Sequence, residues 1–105
     1  MNGLIMQTLQ STGVPVTFQT YEGTETTYIT FFEFQQRSGL NADDMEQQTI
    51  HSVQVDVWSI GNYSDLVDQV RQLMMDAGFK RTYETEIYEK DTKIFHKVFR
   101  FNNHT

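Results

Sequence analysis

Residues 51–58, His-Ser-Val-Gln-Val-Asp-Val-Trp, place valines at the alternate positions 53, 55 and 57, with polar side chains between them. This period of two is typical of a β-strand with one buried face. A helix-start sequence, Asn62-Tyr63-Ser64-Asp65, follows at once, and residues 66–77 show the 3.6-residue period of an amphipathic helix. Another strand pattern begins at Phe79, so these forty or so residues predict a strand–helix–strand unit.

The composition limits the kind of protein. The chain of 105 residues fits one domain, which we expect to span residues 1–105. Because cysteine is absent, a disulfide framework, a thiolate metal site and a cysteine nucleophile are excluded. A formal charge of −6 disfavours sequence-independent binding to DNA phosphates. No apolar run is long enough for a membrane span and no signal-peptide pattern is present, so we expect a soluble, unexported protein without a membrane partner.

The amino-terminal third predicts a helix and an edge strand. A short apolar stripe indicates a helix over residues 3–11, ended by a glycine at Gly13. The strand pattern of residues 14–21 contains Pro15, and proline lacks an amide donor, so this strand is expected at a sheet edge or with Pro15 at its start. A turn signal separates it from a second strand over residues 26–35, and we predict that the two strands form a hairpin.

The second strand carries bulky side chains on both faces. Ile29 and Phe31 share one face, whereas Tyr28, Phe32 and Phe34 share the other. One face should meet the helices, and the other needs a cover. A neighbouring protein chain is one such cover, because a large exposed apolar patch on a small domain marks an interface. The alternative is that all five belong to the core, which is the commoner role of aromatic side chains on strands.

Residues 37–50 read as a long loop, and loops of this length in compact domains are often functional. An acidic cluster within it does not match a calcium loop, which needs ligands on alternate residues and a central glycine. We interpret the cluster as a solvated acidic loop, and a long loop of this kind can become ordered when a partner binds. The candidate interface residues in this loop are Leu40, Asp43, Asp44, Met45 and Glu46.

The second half predicts a capped helix and a hairpin. Asn62 is the expected N-cap of the central helix, and Gly78 its stop. Strands over residues 79–88 and 93–101 form a second hairpin, in which Phe79, Tyr83 and Ile87 alternate with polar side chains, and residues 102–105 are expected to fray. The element order predicts an α+β fold with a mostly antiparallel sheet of about five strands and two helices packed on one face.

The residues that could carry chemistry are few. His51, Asp56 and His96 lie on predicted strands and are of types that bind transition metals or act as acids and bases. His51 and Asp56 are five residues apart on one strand, which places them on opposite faces. Scattered glycines and threonines form neither a phosphate loop nor a nucleophile elbow. An enzymatic role is therefore unsupported, and no cofactor or metal is expected.

Five segments together resemble the tail-completion, or head-tail joining, proteins of long-tailed bacteriophages and prophages. The resemblance runs in order from about residue 4 to residue 101, and its specificity lies in the order and spacing of the segments. Their wording is Val14-Pro15-Val16-Thr17-Phe18-Gln19, Tyr28-Ile29-Thr30-Phe31, Val53-Gln54-Val55-Asp56-Val57-Trp58-Ser59, Met75-Asp76-Ala77-Gly78-Phe79 and His96-Lys97-Val98-Phe99-Arg100-Phe101.

The resemblance implies a structural virion protein without an active site. Such proteins form a hexameric ring between the tail tube and the head connector, cap the tail and join it to the DNA-filled capsid. The implied partners are copies of the chain itself, the tail-tube protein and the head connector proteins, with double-stranded DNA passing through unbound. The implied location is the head-tail junction of the virion, after synthesis in the host cytoplasm. The rival interpretation is a small ligand-binding or enzymatic domain that uses the uncovered sheet face.

Overall fold

The computed structural model describes residues 1–38 and 49–104 of the chain. These residues form two α-helices, a 3₁₀ turn over Gln10–Thr12 and five strands. In chain order the elements are α1 (Asn2–Leu9), β1 (Val16–Phe18), β2 (Tyr28–Ser38), β3 (Thr49–Ser59), α2 (Ser64–Asp76), β4 (Lys80–Glu89) and β5 (Ile94–His104).

The five strands form one sheet in the order β1-β2-β3-β5-β4. Only the β1–β2 pair is parallel, and the other three pairs are antiparallel. Both helices pack on one face of the sheet, where the strands turn their apolar side chains inward. The predicted α+β fold, with a mostly antiparallel five-stranded sheet and helices on one face, is confirmed.

The core lies between this sheet face and the two helices. Its largest fully buried members come from β2, β5 and α1, and the three valines of the β3 alternation are also fully buried. This burial explains why the period of two in β3 decides the sheet, since a shift by one residue would put every valine in solvent. The core consists of Ile5, Leu9, Ile29, Phe31, Val53, Val55, Val57, Tyr63, Val67, Val70, Met74, Phe79, Phe99 and Phe101.

The predicted hairpin between the first two strands is wrong, because β1 runs parallel to β2. Val16 pairs with Ile29 and Phe18 with Phe31. The nine residues between the strands return the chain to the level at which β1 starts, so β2 runs in the same direction as β1. A turn signal in the sequence does not distinguish such a return from the single reversal of a hairpin. The edge position is confirmed, and Pro15 directly precedes β1, where its carbonyl accepts a 2.8 Å hydrogen bond from the Ile29 amide.

The predicted boundaries of the long loop, residues 37 and 50, are also wrong. Arg37 and Ser38 belong to β2, where they pair with Ile50 and Thr49 of β3. Long antiparallel ribbons are extended by backbone hydrogen bonds that do not depend on an apolar side-chain pattern, so no pattern in residues 37–50 indicates this extension. The rest of the loop, with the candidate residues Leu40, Asp43, Asp44, Met45 and Glu46, lies outside the described residues.

Helix α2 follows its predicted pattern closely. Val67, Val70 and Met74 are buried in the core, and Gly78 ends the helix with a left-handed φ of 97°. The N-cap position is Tyr63, one residue after the predicted Asn62. Asn62 nevertheless contributes to the helix start, because its Oδ1 accepts a 3.0 Å hydrogen bond from the Ser64 amide.

Strands β4 and β5 form the predicted hairpin, but the expected fraying after Phe101 is wrong. β5 continues to His104, which pairs with Ile50 of β3. Asn103 is buried, and Ser52 Oγ donates a 2.8 Å hydrogen bond to Oδ1 of Asn102. The extension of β3 beyond its apolar stretch supplies the backbone partners that hold this segment in the sheet. No helix among the described residues is long and apolar enough to cross a membrane.

Candidate interaction surface

The sheet face opposite the helices, here named the open face, carries the side chains that alternate with the core. Strand register places residues from four strands on it. The face mixes aromatic, aliphatic and polar side chains with charged ones of both signs. Its members include Tyr28, Thr30, Phe32, Gln35, Ser52, Gln54, Asp56, Trp58, Lys80, Tyr83, Thr85, Ile87, Glu89, Ile94, His96, Val98, Arg100 and Asn102.

A row of stacked rings crosses the open face at one end. Tyr21 stacks on Tyr28 with ring centroids 4.4 Å apart, Tyr28 lies 5.9 Å from Trp58, and Trp58 lies 3.6 Å from His96. The β4–β5 register continues the row to Ile87, which is 47% exposed. Neighbouring strands thus present one continuous aromatic strip, of the kind enriched in protein interfaces.

A second apolar group surrounds Arg100. The guanidinium Cζ lies 4.9 Å from the ring centre of Phe34 and 5.7 Å from that of Tyr83, while Phe32 contacts Phe34 edge to face. Arg100 Nε also donates a 3.1 Å hydrogen bond to Gln54 Oε1. The cation is therefore held in place by two rings and an amide, an arrangement common where arginine anchors a contact.

The structure brings three of the predicted interface residues together. Tyr28, Phe32 and Phe34 lie on the open face side, and Ile29 and Phe31 are fully buried on the other, so the predicted division of faces in β2 is confirmed. A bulge at Phe34 interrupts the register between Glu33 and Gln35 and leaves the Phe34 side chain 42% exposed. The interface role of these side chains stays a prediction.

The histidines do not form one site. Asp56 and His96 meet on the open face, with Oδ1 and Nε2 3.2 Å apart, whereas His51 Nδ1 lies 2.6 Å from Glu33 Oε2. His51 and Asp56 are on opposite faces of β3, as predicted. Within the described residues, no three metal-ligating side chains converge.

The Asp56–His96 pair is nearly buried by its neighbours on the open face. Gln54 Nε2 donates to both carboxylate oxygens of Asp56, at 3.0 and 3.2 Å, and Trp58 Nε1 donates a 3.0 Å bond to Thr30 Oγ1. Among the buried side-chain polar atoms described, Nε2 of His96 is the one without a hydrogen bond, although it lies 3.2 Å from Asp56 Oδ1. The arrangement holds Asp56 and His96 in fixed positions without building a ligand pocket around them.

The strongest electrostatic cluster lies on the helix side of the sheet. Glu84 of β4 accepts hydrogen bonds from Arg71 of α2 and from Arg81, and Lys97 Nζ lies 2.9 Å away. Arg71, and then Lys97, lower the pKa of Glu84 to about 2, and Glu84 in turn raises the pKa of Arg71. Burial, helped by a hydrogen bond to Glu86, raises the pKa of Tyr63. These pairs fasten α2 to β4 and are structural.

The part of the open face on β4 was not predicted from the sequence. The sequence pattern places Phe79, Tyr83 and Ile87 on one face, but a bulge between Arg81 and Tyr83 reverses the alternation. Phe79 therefore stays in the core, while Tyr83 and Ile87 are 50% and 47% exposed on the open face. A bulge adds one residue without a reliable sequence signal, so only the pairing with β5 reveals it.

Comparison with known proteins adds a family match. The family model described as "Tail completion protein gp17" matches residues 7–104. Among solved structures, a chain from "Virion of native gene transfer agent (GTA) particle" superposes with a TM-score of 0.68 at 11% identity, covering 99% of this chain and 92% of that chain. At this identity the likeness is one of fold. No curated protein sequence matches.

Proposed function

Because this chain belongs to the tail completion protein gp17 family, we propose that it caps the tail of a phage or prophage particle and joins that tail to the head connector. Family membership confirms the resemblance predicted from the sequence and makes the chain a structural protein of the phage tail. The observation that carries the proposal is the match over residues 7–104, which spans all seven α-helices and strands in whole or in part.

The proposed assembly is a hexameric ring at the head-tail junction, reached after synthesis in the host cytoplasm. Its partners are the neighbouring copies, the tail-tube protein and the head connector proteins. The open face supports this proposal, since Phe34, Tyr83 and Ile87 are each about half exposed on it. We assign Tyr28, Phe32 and Phe34 to the subunit or partner interface. We assign the same interface role to five residues of the loop, Leu40, Asp43, Asp44, Met45 and Glu46. The proposed function is that of one domain over residues 1–105.

The acidic charge is compatible with DNA passage through such a ring. Each copy carries a formal charge of −6, so six copies surround the channel with strong negative charge. A wall of this sign repels phosphates and lets double-stranded DNA pass without binding. Lumen-facing residues that proved to be mostly basic would contradict this part of the proposal.

The first experiment deletes the gene from the phage or prophage that carries it and examines the induced lysate by electron microscopy. DNA-filled heads separated from free tails, with joining restored by the protein supplied in trans, are the expected result. Intact, infectious particles from the deletion strain would overturn the joining role.

A second experiment tests the open face by complementation with single variants. Phe34→Glu replaces an apolar ring of the proposed interface with a carboxylate and is expected to reduce joined particles at least tenfold, because the carboxylate must lose its hydration when the interface forms. Ile60→Glu makes the same chemical change at a side chain that is 56% exposed and lies outside the open face. Equal titres for the two variants, both present at wild-type levels, would remove Phe34 from the interface.

One observation favours a second candidate, a ligand-binding or enzymatic domain that uses the open face. The Asp56–His96 pair combines a carboxylate and an imidazole whose Nε2 has no hydrogen bond. The test is a thermal-shift screen with Zn²⁺, Mn²⁺ and Ni²⁺, because a ligand that binds only the native state raises Tm. A rise for wild type that disappears in His96→Ala would support this candidate, and unchanged Tm values would remove metal binding from consideration.

A further inference from the structure

Glu86 of β4 is a carboxylate that no cation of the described chain binds. It lies on the helix side of the sheet, where the Tyr63 hydroxyl donates a 2.9 Å hydrogen bond to its Oε1. Its register partner on β5, Lys97, is bound instead to Glu84, with Nζ 2.9 Å from Oε1 of that carboxylate. Among the described residues nothing donates to Oε2 of Glu86, so this exposed residue keeps an acceptor for a donor from outside.

A cleft of about 380 Å³ opens beside this carboxylate, between the start of α2 and the start of β5. Its aromatic side is formed by Tyr63 and Phe95, whose ring centroids are 5.8 Å apart, and Tyr88 lies 4.7 Å from Phe95 on the exposed side. Rings that stand beside a carboxylate suit a cation, because the ring face and the carboxylate both attract positive charge. The cleft is lined by Gly61, Asn62, Tyr63, Ser64, Glu86 and Phe95.

The start of α2 opposes a cation in this cleft, since a helix N-terminus carries partial positive charge. Two features offset that charge. The Ser64 amide already donates a 3.0 Å hydrogen bond to Asn62 Oδ1, and Asp65 adds a carboxylate to the first turn. With Glu86 opposite and a formal charge of −6 on the whole chain, the balance favours a positively charged occupant.

The neighbouring carboxylate of β4 shows how this fold holds such a cation. Glu84, two residues before Glu86 on the same side of the sheet, accepts hydrogen bonds from Arg71 of α2. The guanidinium Cζ of Arg71 also lies 5.5 Å from the ring centre of Phe99, the register partner of Glu84. Glu86 and Phe95 repeat this combination of carboxylate and ring further along the same two strands, but the described chain places no arginine there.

We propose that the cleft between α2 and β5 binds an arginine side chain of a partner protein. The guanidinium lies on the Phe95 ring and donates to Oε2 of Glu86. Arginine fits better than lysine, because its planar guanidinium can stack on a ring while its fork of donors meets a carboxylate. The inference goes beyond the proposed joining role by naming the side chain that a partner presents, and it rests on that role only for the identity of the partner.

The test measures binding of a model arginine to the purified whole chain. The ¹⁵N-labelled protein is titrated at constant ionic strength with Nα-acetyl-L-arginine methylamide, and the citrulline derivative of the same shape serves as the uncharged control ligand. We expect saturable shifts of the backbone amides that line the cleft, with a Kd on the order of 10 mM, because one exposed ion pair and one ring contact supply little free energy. The citrulline derivative should produce no saturable shifts.

Two variants locate the binding. Glu86→Gln keeps an acceptor for the Tyr63 hydroxyl but removes the charge, so it should weaken arginine binding by about threefold. Glu89→Gln is the matched control, since it makes the same change at an exposed residue of the same strand on the open face, and it should bind like wild type. Unchanged amide signals outside the cleft verify that both variants are folded.

Three results would overturn the proposal. Equal affinity of wild type and Glu86→Gln would remove the carboxylate from the site. Equal binding of the citrulline derivative would show that charge is not recognised, and shifts spread over the surface without saturation would show that the cleft does not select arginine. These results are read on the purified chain and leave the joining role intact, whereas failure of that role appears as intact particles from the deletion strain.

Discussion

At the scale of single residues, phenylalanine is buried on one face of β2 and exposed on the other. Phe31 is fully buried against Phe18 and the core, whereas Phe34, three positions later, is 42% exposed beside Arg100. The two residues have the same side chain and similar neighbours in sequence. Their difference in exposure therefore arises from strand alternation and from the bulge at Phe34. Stability and assembly should therefore respond differently to the two positions.

We expect Phe31→Ala to lower the free energy of unfolding by about 3–5 kcal/mol, because it removes a fully buried ring and leaves a cavity. Phe34→Ala serves as the matched change on the open face and should cost less than about 1 kcal/mol in the isolated chain. Urea unfolding measures both values. Similar losses at the two positions would mean that Phe34 is part of the folding core.

Glu84 should make stability depend on pH. Its pKa in the folded state is about 2, against 4.5 for the ordinary side chain, so its contribution is present above pH 4.5 and is lost as the pH falls towards 2. That shift corresponds to at most about 3 kcal/mol at neutral pH. Glu84→Gln should therefore be less stable than wild type at pH 7, and the difference should shrink below pH 4.

The same charge change at an exposed site controls for net charge in this measurement. Glu25→Gln removes one negative charge from a side chain in solvent, so its unfolding curve should follow wild type at both pH values. A constant difference in stability between Glu84→Gln and wild type from pH 7 to pH 2.5 would show that ionisation of Glu84 does not stabilise the fold.

At the scale of elements, glycine decides where both helical segments end. The turn after α1 closes at Gly13 with φ 80°, and α2 ends at Gly78 with φ 97°. Both values lie in the left-handed region, which is unfavourable for other residues. The chain direction after each glycine sets the start of β1 and of β4, the two edge strands of the sheet.

Gly78→Ala should destabilise the protein by about 1–2 kcal/mol, because alanine is strained at a positive φ. Space is not the cause, since an added Cβ would come no closer than 4.0 Å to Asn103. Gly3→Ala is the matched control within α1, where a Cβ meets nothing and alanine favours the helix, so it should be neutral or stabilising by up to about 1 kcal/mol. Thermal unfolding of both variants checks the sign. Destabilisation by Gly3→Ala alone would contradict this account.

At the scale of the whole molecule, the charged side chains are distributed unevenly along the chain. Residues 2–21 contain no Asp, Glu, Lys, Arg or His, so the entire formal charge of −6 arises from the residues that follow. The sign of that charge also bears on the contact with DNA.

We expect the purified protein not to retain duplex DNA, even at low salt, because a net negative chain gains nothing by releasing counterions from phosphates. Fluorescence anisotropy of a labelled duplex, titrated with protein at 20 mM and at about 150 mM NaCl, measures this directly. Binding at low salt that weakens as salt rises would reveal a basic surface and contradict the proposed non-adhesive channel.

Local sequence patterns were sufficient to predict the α+β class, the core face of β3, helix α2 with its stop at Gly78, and the second hairpin. Each of these follows from local periodicity or from the backbone needs of one residue, which are visible without neighbours. The family resemblance was likewise carried by short segments in order, and the match over residues 7–104 agrees with it. Tyr28, Phe32 and Phe34 could be placed on one face for the same reason.

Three features became visible only in the folded chain: the parallel pairing of β1 with β2, the order β1-β2-β3-β5-β4 and the extension of β5 to His104. These features depend on hydrogen bonds between segments distant in sequence, which side-chain patterns do not encode. Part of the candidate surface could not be predicted for the same reason. The β4 bulge places Tyr83 and Ile87 on the open face, and the strand register brings Trp58 against His96. Local pattern fixed which side of a strand is apolar, whereas pairing between strands fixed which side chains became neighbours.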